Sequence, residues 1–252
     1  MIDDRTKRIL IVDDNETFLI NISILLHRMG FKKIIPAYNG VEALKLIRVL
    51  MPDVILLDIA MPQMDGITVL RHIKGNNDTS NIPVIMSTIT SNRKSYKECK
   101  KLGCSGYLIK PVKITELNKN LNRCIFYPES KKRELLRTPF KQKVIVTNKG
   151  ISEVQYAENL SQRGIFIKKR NPFIEGTEVG IALPLKDKKT IYLNGTVIYL
   201  KKGDIHEMPR GMAIEFRDLT SNDSEKLSAY IMELLTKGFI EEHDEPLLII
   251  KK

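Results

Sequence analysis

The sequence predicts an α/β doubly wound, five-stranded parallel sheet, followed by an all-β, six-stranded barrel with a C-terminal helix. Three observations predict this organisation. The 252 residues are long for one ordinary domain and sufficient for two hydrophobic cores. In the first half, short apolar runs alternate regularly with helical patterns. In the second half, short strand patterns follow one another with turn residues between them, and a single clear helical pattern comes last.

The first half opens with an apolar run at residues 8–12, typical of a buried parallel strand. Asn15 is suited to cap the helix that follows, and Gly30 to end it. The later strands are predicted at residues 33–37, 54–59, 84–88 and 107–109, and the later helices at residues 41–50, 67–73, 93–102 and 114–124. Five strands that alternate with five helices predict a parallel sheet covered on both faces.

The alternating pattern ends near Phe126, and the segment that follows has the composition of a linker. Beyond it, strands are predicted at residues 143–146, 153–156, 164–168, 178–183, 191–200 and 212–216. Ser221 is predicted to cap the last helix. We therefore divide the chain into a first domain at residues 1–127, a linker at 128–138, a barrel domain at 139–240 and a tail at 241–252.

Composition narrows the classes of protein. No apolar run approaches the length needed to cross a bilayer, so membrane insertion is not expected. The first residues lack the apolar centre of a signal peptide, which predicts a cytoplasmic protein. The three cysteines have neither metal-ligand spacing nor an even count, so we expect ordinary reduced thiols.

The net charge of +11 raises the question of nucleic-acid binding. Residues 1–127 contribute +7 and residues 128–252 contribute +4, so the excess is spread over both halves. A solvated basic surface explains this spread better than a nucleic-acid patch does. A sequence-specific transcription factor also needs a recognition helix, and no helix-turn-helix pattern follows residue 127. We therefore expect no sequence-specific DNA binding.

Polar residues stand at the ends of the predicted parallel strands, where ligands bind in such sheets. Asp13 and Asp14 follow the first strand, Asp58 lies in the third, Thr88 ends the fourth, and Lys110 follows the fifth. Converging carboxylates repel one another unless a hard divalent cation such as Mg²⁺ lies among them. A carboxylate can also attack a phosphoryl group and form an acyl phosphate, with the metal and a lysine stabilising the charge.

These residues lie in segments that resemble the receiver domains of response regulators, namely LIVDDN, LLDIAMPQMDG, PVIMST and GYLIKP. The resemblance covers the whole first half and implies that a sensor histidine kinase phosphorylates Asp58. It also implies that Mg²⁺ is held by Asp13, Asp14, the Asp58 carboxylate and the backbone carbonyl of Ala60. The alternative is a structural role for Asp58, as a strand-end residue paired with a lysine.

The same resemblance assigns switch residues. Thr88 would bond to the phosphoryl oxygens, Lys110 would neutralise them, and the Lys110–Pro111 bond would be cis. Tyr107 would be the aromatic residue that turns inward together with Thr88. Ile89 departs from the family pattern, which usually has a small residue there. A branched apolar side chain at this position narrows access, and the sequence leaves open whether it slows phosphotransfer or hydrolysis.

A second set of residues stands before and within the strand-rich half. Arg133 and Arg137 are four residues apart, and two guanidinium groups at that spacing can straddle phosphates or stack on a purine. Asn159 and Ser161 lie at a strand-to-strand turn and offer donors and acceptors, while Gly164 permits close backbone approach. Taken singly, such residues are more often a solvated face and an ordinary turn.

In this order and spacing they resemble the PilZ family, whose pattern is RxxxR followed by D/NxSxxG within a six-stranded barrel. The resemblance runs from about Arg133 to Phe239 and implies that the five residues just named bind the second messenger cyclic di-GMP. It predicts a response regulator that is not an enzyme and that signals to an unknown downstream protein through a changed domain arrangement. The alternative is a phosphorylation-controlled adaptor whose PilZ-like barrel binds only protein.

Overall fold

The computed structural model describes residues 7–90, 92–125, 136–186, 189–201, 210–237 and 248–249. The chain divides into two compact units, one formed by Met1–Glu134 with Gly238–Lys252 and the other by Leu135–Lys237. Within the described residues, no helix has both the length and the apolar character needed to cross a membrane.

The first unit contains a five-stranded, wholly parallel sheet with the order β2-β1-β3-β4-β5. Its strands are β1 (Arg8–Val12), β2 (Lys33–Ala37), β3 (Val54–Asp58), β4 (Val84–Thr88) and β5 (Gly106–Ile109). The helices described with them are α1 (Glu16–Arg28), α2 (Gly40–Leu50), α3 (Gly66–Lys74), α4 (Arg93–Lys101) and α5 (Ile114–Ile125). A short strand that was not predicted, β6 (Val112–Lys113), stands between β5 and α5.

Local sequence explains why these helices begin where they do. The side chains of Asn15, Asn39, Asp65 and Asn92 each accept a hydrogen bond from a backbone N–H in the first turn of the helix that follows. Strand β3 is buried along its whole length, as expected for a central strand covered on both faces. The predicted fold class of this half is confirmed, with element ends that differ by one or two residues.

The second unit is a closed, antiparallel barrel with the strand order β10-β11-β12-β9-β8-β7. Its strands are β7 (Arg137–Asn148), β8 (Ile151–Ser161), β9 (Gly164–Lys168), β10 (Glu178–Pro184), β11 (Thr190–Lys201) and β12 (Gly211–Arg217). Closure pairs β10 with β7, which removes the free edges of the sheet. The prediction of a six-stranded barrel is therefore confirmed.

The beginning of the barrel corrects the sequence-based boundary. Strand β7 starts at Arg137, so this residue belongs to the barrel and not to a linker that ends at residue 138. Leu136, Thr138 and Phe140 are buried and alternate with exposed residues, which is the period of a strand. The register between β7 and β8 shifts just after Pro139, so the ladder accommodates the proline by a bulge.

Helix α6 (Ser221–Thr236) follows the barrel. Its N-cap is Thr220, not the predicted Ser221, which is the first helical residue. The helix packs on β7, where the rings of Phe140 and Tyr230 meet edge to face with centroids 6.1 Å apart. Outside the barrel, β13 (Leu248–Ile249) forms a two-stranded sheet with β6 in the first unit.

Candidate phosphorylation and nucleotide sites

The sheet order of the first unit sets the place of its site. From β1 the chain passes to β2 on one side and later to β3 on the other, so the strand order reverses between β1 and β3. Ligands bind at such a switch point, beyond the carboxyl ends of the strands. Asp13 directly follows β1 and Asp58 is the last residue of β3, and both side chains are buried.

Lys110 connects the two buried carboxylates. Its Nζ atom lies 2.7 Å from Asp13 Oδ2 and 2.6 Å from Asp58 Oδ1. The same ammonium lies 4.4 Å from the centroid of the Phe18 ring, a cation–π contact that the sequence did not predict. Because Asn15 caps α1, Phe18 lies in the first turn of that helix, next to the sheet edge.

Burial is the largest single influence on the pKa values of Asp13, Asp58 and Lys110. It raises the pKa of Asp13 to about 6, although the Lys110 ammonium acts in the opposite direction. Burial also raises the pKa of Asp58, and the nearby charge of Asp14 contributes to the same shift. Burial lowers the pKa of Lys110, but the two carboxylates outweigh it, so that its pKa lies above the ordinary value. A single lysine therefore compensates the buried negative charge only in part.

The predicted switch residues lie at the same edge. Thr88 is buried at the end of β4, and its carbonyl accepts a 2.7 Å hydrogen bond from the Lys110 N–H. Its Oγ1 atom donates a hydrogen bond to the Thr90 carbonyl at 3.3 Å and accepts one from the Thr90 N–H at 3.2 Å. Tyr107 is half-buried, and its hydroxyl has no hydrogen-bond partner within the described part of the chain. Ile89 is 59% exposed, so its side chain stands at the surface next to Thr88.

The loop after β3 holds the Asp58 carboxylate from the other side. The Ala60 N–H donates a 2.7 Å hydrogen bond to Asp58 Oδ2. Gly66 opens α3, and a Cβ atom added to it would lie 1.9 Å from the Asp58 carbonyl oxygen, so only glycine fits there. Sequence reasoning gave Gly66 no role, although an Asp-Gly pair before a helical pattern is the signal that could have found it.

The remaining carboxylate, Asp14, is exposed. Among the described residues, no three carboxylate, thiol or imidazole side chains lie close enough together to hold a metal ion in this arrangement. The donor set nevertheless fits Mg²⁺, because Mg²⁺ keeps several waters and takes one or two carboxylates from a protein. The three aspartates carry two more negative charges than Lys110 balances, which favours a divalent cation.

In the barrel, the structure brings together four of the five residues predicted to bind the nucleotide. Arg137 pairs in register with Ser161, and Ser161 pairs with Gly164, so three neighbouring strands meet at one end of the barrel. Asn159 and Ser161 flank the buried Leu160 and therefore project from the outer face. Arg133 lies outside the described residues.

The turn between β8 and β9 is fixed by its own contacts. Ser161 Oγ donates to the Gly164 carbonyl at 3.0 Å, and Gln162 Nε2 donates to Ser228 Oγ of α6 at 3.0 Å. A Cβ atom on Gly164 would lie 2.4 Å from the Ile214 carbonyl oxygen of β12. The close approach that the sequence indicated at Gly164 is thus made by a neighbouring strand.

Comparison with known proteins identifies both halves. The profile of the response regulator receiver domain matches residues 9–122, and that of the PilZ domain matches residues 131–233. The chain belongs to the response regulators and carries a receiver domain followed by a PilZ domain.

Two relatives and one solved structure, each similar to about half of this chain, show the extent of the similarity. Protein PilH of Pseudomonas aeruginosa is 36% identical over 115 residues, which are 46% of this chain and 94% of that protein. The Regulator of RpoS of Escherichia coli strain K12 is 33% identical over 121 residues, which are 48% of this chain. The chain spans only about a third, 35%, of the length of that relative. Among solved structures, the chemotaxis protein CheY4 of Vibrio cholerae is 28% identical with a TM-score of 0.45, over 47% of this chain and 98% of that one.

Proposed function

We propose that Asp58 accepts a phosphoryl group from a sensor histidine kinase. The observation that carries this proposal is the setting of its carboxylate, between the Lys110 ammonium at 2.6 Å and the Ala60 N–H at 2.7 Å. One carboxylate oxygen attacks phosphorus, the bond from phosphorus to the kinase histidine breaks, and that imidazole leaves with the electron pair. Lys110 and Thr88 then stabilise charge on the transferred oxygens.

Mg²⁺ fits the same proposal. Asp13, Asp14, the Asp58 carboxylate and the Ala60 carbonyl would hold it, and the ion would supply positive charge to the transferring oxygens. Lys110, which lies between Asp13 and Asp58, would supply the second positive charge from the protein itself. Burial of Asp13, Asp58 and Lys110 excludes water from these three side chains and strengthens the interactions among them.

The two ends of β3 offer a matched test. Asp58 is the last residue of this strand, and Asp53 lies immediately before its first residue. Treated with acetyl phosphate and Mg²⁺, the wild type and Asp53→Asn are expected to gain one phosphoryl group in intact-mass measurements. Asp58→Asn is expected to gain none. Equal labelling of Asp58→Asn and the wild type would refute the assignment.

For the barrel, we propose that cyclic di-GMP binds on the outer face at the end formed by β7, β8 and β9. The exposed guanidinium of Arg137 lies beside Ser161 in the ladder, with Asn159 two residues further along the same face. Arg133 would provide the second cation for a ligand that carries two phosphates. Charge-assisted contacts of this kind contribute roughly 1.5–3 kcal/mol each.

Calorimetry tests this site. Arg137→Ala is expected to weaken cyclic di-GMP binding by roughly ten- to a hundredfold, at about 1.4 kcal/mol per decade. Ser161→Ala removes an uncharged partner and is expected to cost less. Arg170→Ala is a control, because it removes the same charge from an exposed arginine beyond the opposite end of β9. Unchanged affinity of Arg137→Ala would contradict the site.

We further propose that the output is a changed domain arrangement, read by another protein. In favour of a protein partner, a row of apolar side chains crosses the outer face of the barrel in register, formed by Val154, Ile145, Ala182 and Tyr192. Val154 is 59% exposed and Tyr192 is 79% exposed. Small-angle scattering with and without cyclic di-GMP tests the rearrangement, and an unchanged profile at saturation would exclude it.

The same apolar row favours a second candidate function, a phosphorylation-controlled adaptor whose barrel binds protein and no nucleotide. The role of Gly164 in packing against β12 also needs no ligand. A titration of the purified chain with cyclic di-GMP separates the two candidates. If the chain binds cyclic di-GMP saturably and Arg137→Ala weakens the binding, the response regulator that also binds the nucleotide is favoured. Absence of binding favours the adaptor.

A further inference from the structure

Strand β6 lies close in sequence to the proposed phosphorylation site and outside the main sheet. It begins at Val112, two residues after Lys110, and α5 follows it directly. It is not part of the five-stranded sheet, and among the described residues its one strand partner is β13. The pairing is parallel, with Leu248 opposite Val112 and Ile249 opposite Lys113.

The sequence around β13 is suited to strand addition. Residues 247–250 read Leu-Leu-Ile-Ile, an apolar and partly β-branched run, and Pro246 precedes them. An extended segment of this kind adds to an open strand edge through backbone hydrogen bonds. Two residue pairs provide few such bonds, so the pairing is weak enough to be reversed by a modest change in β6.

A short series of direct contacts joins β6 to Asp58. The Lys110 ammonium contacts Asp13 and Asp58, and the Lys110 backbone N–H is bonded to the Thr88 carbonyl. Only Pro111 separates Lys110 from β6. A phosphoryl group on Asp58 places new negative charge beside the Lys110 ammonium, so we expect Lys110 and the backbone that leads from it into β6 to shift. Val112 is fully buried, so β6 has little room to move with Lys110 while it stays paired with β13.

We infer that β6 is a strand-addition site for residues 248–249 of this same chain, and that a phosphoryl group on Asp58 weakens the pairing. The inference rests on the proposed role of Asp58. Release of β13 also affects how the barrel is linked to the first unit, because the chain passes between the two units twice, after Glu134 and after Lys237. Release of β13 removes the strand pairing that holds the segment after the second crossing to the first unit, and it leaves the first crossing unchanged.

Hydrogen exchange on the full chain tests the direction of coupling. Beryllofluoride with Mg²⁺ serves as a stable mimic of the phosphoryl group. Its addition is expected to speed exchange at the β6 and β13 amides by about fivefold or more, within the usual range of coupling between sites. Amides of Leu10 and Leu56 in the central sheet serve as controls. Unchanged or slower exchange at β6 and β13 would overturn the inference.

Linkage supplies a reciprocal test. The double variant Leu248→Pro/Ile249→Pro removes the strand donors without changing charge, and it is expected to bind beryllofluoride more tightly than the wild type by the factor measured in exchange. Leu248→Val/Ile249→Val keeps the strand propensity and is expected to behave as the wild type. Equal affinity of the proline variant and the wild type would refute the coupling.

The oligomeric state and the binding of beryllofluoride separate the remaining outcomes. If light scattering shows a dimer, and β6 protection disappears on dilution to monomer, the strand comes from a second copy and the intramolecular assignment is wrong. Protection in a monomer supports it. If beryllofluoride binds the wild type but not Asp58→Asn, and exchange stays constant, the inference alone fails. If acetyl phosphate does not label the wild type and beryllofluoride does not bind it, the role of Asp58 fails, and the coupling fails with it.

Discussion

At the scale of single residues, two glycines in different strands of the barrel, Gly164 in β9 and Gly180 in β10, tolerate a side chain to different degrees. A Cβ atom on Gly164 would collide with the Ile214 carbonyl oxygen, whereas one on Gly180 would meet Thr147 Cβ at 3.7 Å, an ordinary contact. The fold therefore requires glycine at the first position and tolerates alanine at the second. This distinction matters because Gly164 also belongs to the proposed nucleotide site.

Gly164→Ala is expected to destabilise the barrel by about 1–3 kcal/mol, because backbone atoms of β9 and β12 must separate. Gly180→Ala is expected to change the free energy of unfolding by less than about 1 kcal/mol. The change is expected to be stabilising, because alanine lowers the conformational entropy of the unfolded chain. Urea denaturation of both variants measures the difference. Equal stability of the two would show that β12 moves away without cost.

Asp53 carries a pH-dependent contribution to stability. Partial burial acts to raise its pKa, but the Arg8 N–H and the Lys7 ammonium outweigh it and hold the pKa below the ordinary value. A carboxyl group with a depressed pKa stabilises the fold at pH values above its unfolded-state pKa of about 3.9. This contribution is lost as the pH falls through the pKa of the native state.

Asp53→Asn is therefore expected to lower the free energy of unfolding by about 1 kcal/mol at pH 7, a value reduced by partial solvent screening. The difference from the wild type is expected to shrink as the pH falls below about 4. Urea denaturation at several pH values measures it. A difference that grows on acidification would contradict the sign of this pKa shift.

At the scale of elements, α6 shows how a helix start is chosen between adjacent candidates. Thr220 and Ser221 are both common N-cap residues. Thr220 is the cap because its Oγ1 accepts from the Asp223 N–H at 3.1 Å, while Asp223 Oδ2 accepts from the Thr220 N–H at 3.3 Å. This reciprocal pair is a capping box, which Ser221 cannot form with Ser224.

Thr220→Ala is expected to destabilise the barrel by about 1 kcal/mol through loss of the cap. Ser221→Ala is expected to change stability by less than about 0.5 kcal/mol, since alanine is favourable in a first helical turn. Thermal or urea denaturation of the matched pair measures the contrast. A larger cost at residue 221 would place the functional cap one residue later.

At the scale of the whole molecule, the two compact units have separate cores. Separate cores predict two unfolding transitions in calorimetry. Mg²⁺ with beryllofluoride is expected to raise only the receiver transition, and cyclic di-GMP only the barrel transition. Each ligand adds about 2.7 kcal/mol at a hundred times its Kd. A single transition that both ligands shift together would show that the units unfold as one body.

The five strands of the main receiver sheet and its helices could be predicted from the sequence to within one or two residues at their ends. Its apolar runs, capping asparagines and strand-end aspartates are local patterns. Local patterns specify α/β elements well where a strand is buried along its whole length, as β3 is, and where a helix has its own cap, as α1 does. The same reasoning placed Asp13, Asp58 and Lys110 at one edge, since the carboxyl ends of parallel strands meet there. The structure gives the distances between them.

Features that depend on contacts between residues distant in the chain could not be predicted from local sequence patterns. Phe18 lies under Lys110, and Gly164 is confined by Ile214, because elements remote in sequence pack together. Arg137 lies in a strand because Ser161 of β8 pairs with it. Pro139 is unusual in a strand interior, so the local sequence did not indicate a strand at this position. The pairing of β13 with β6 joins residues more than 130 positions apart, and no local periodicity of two short strands encodes such a partner.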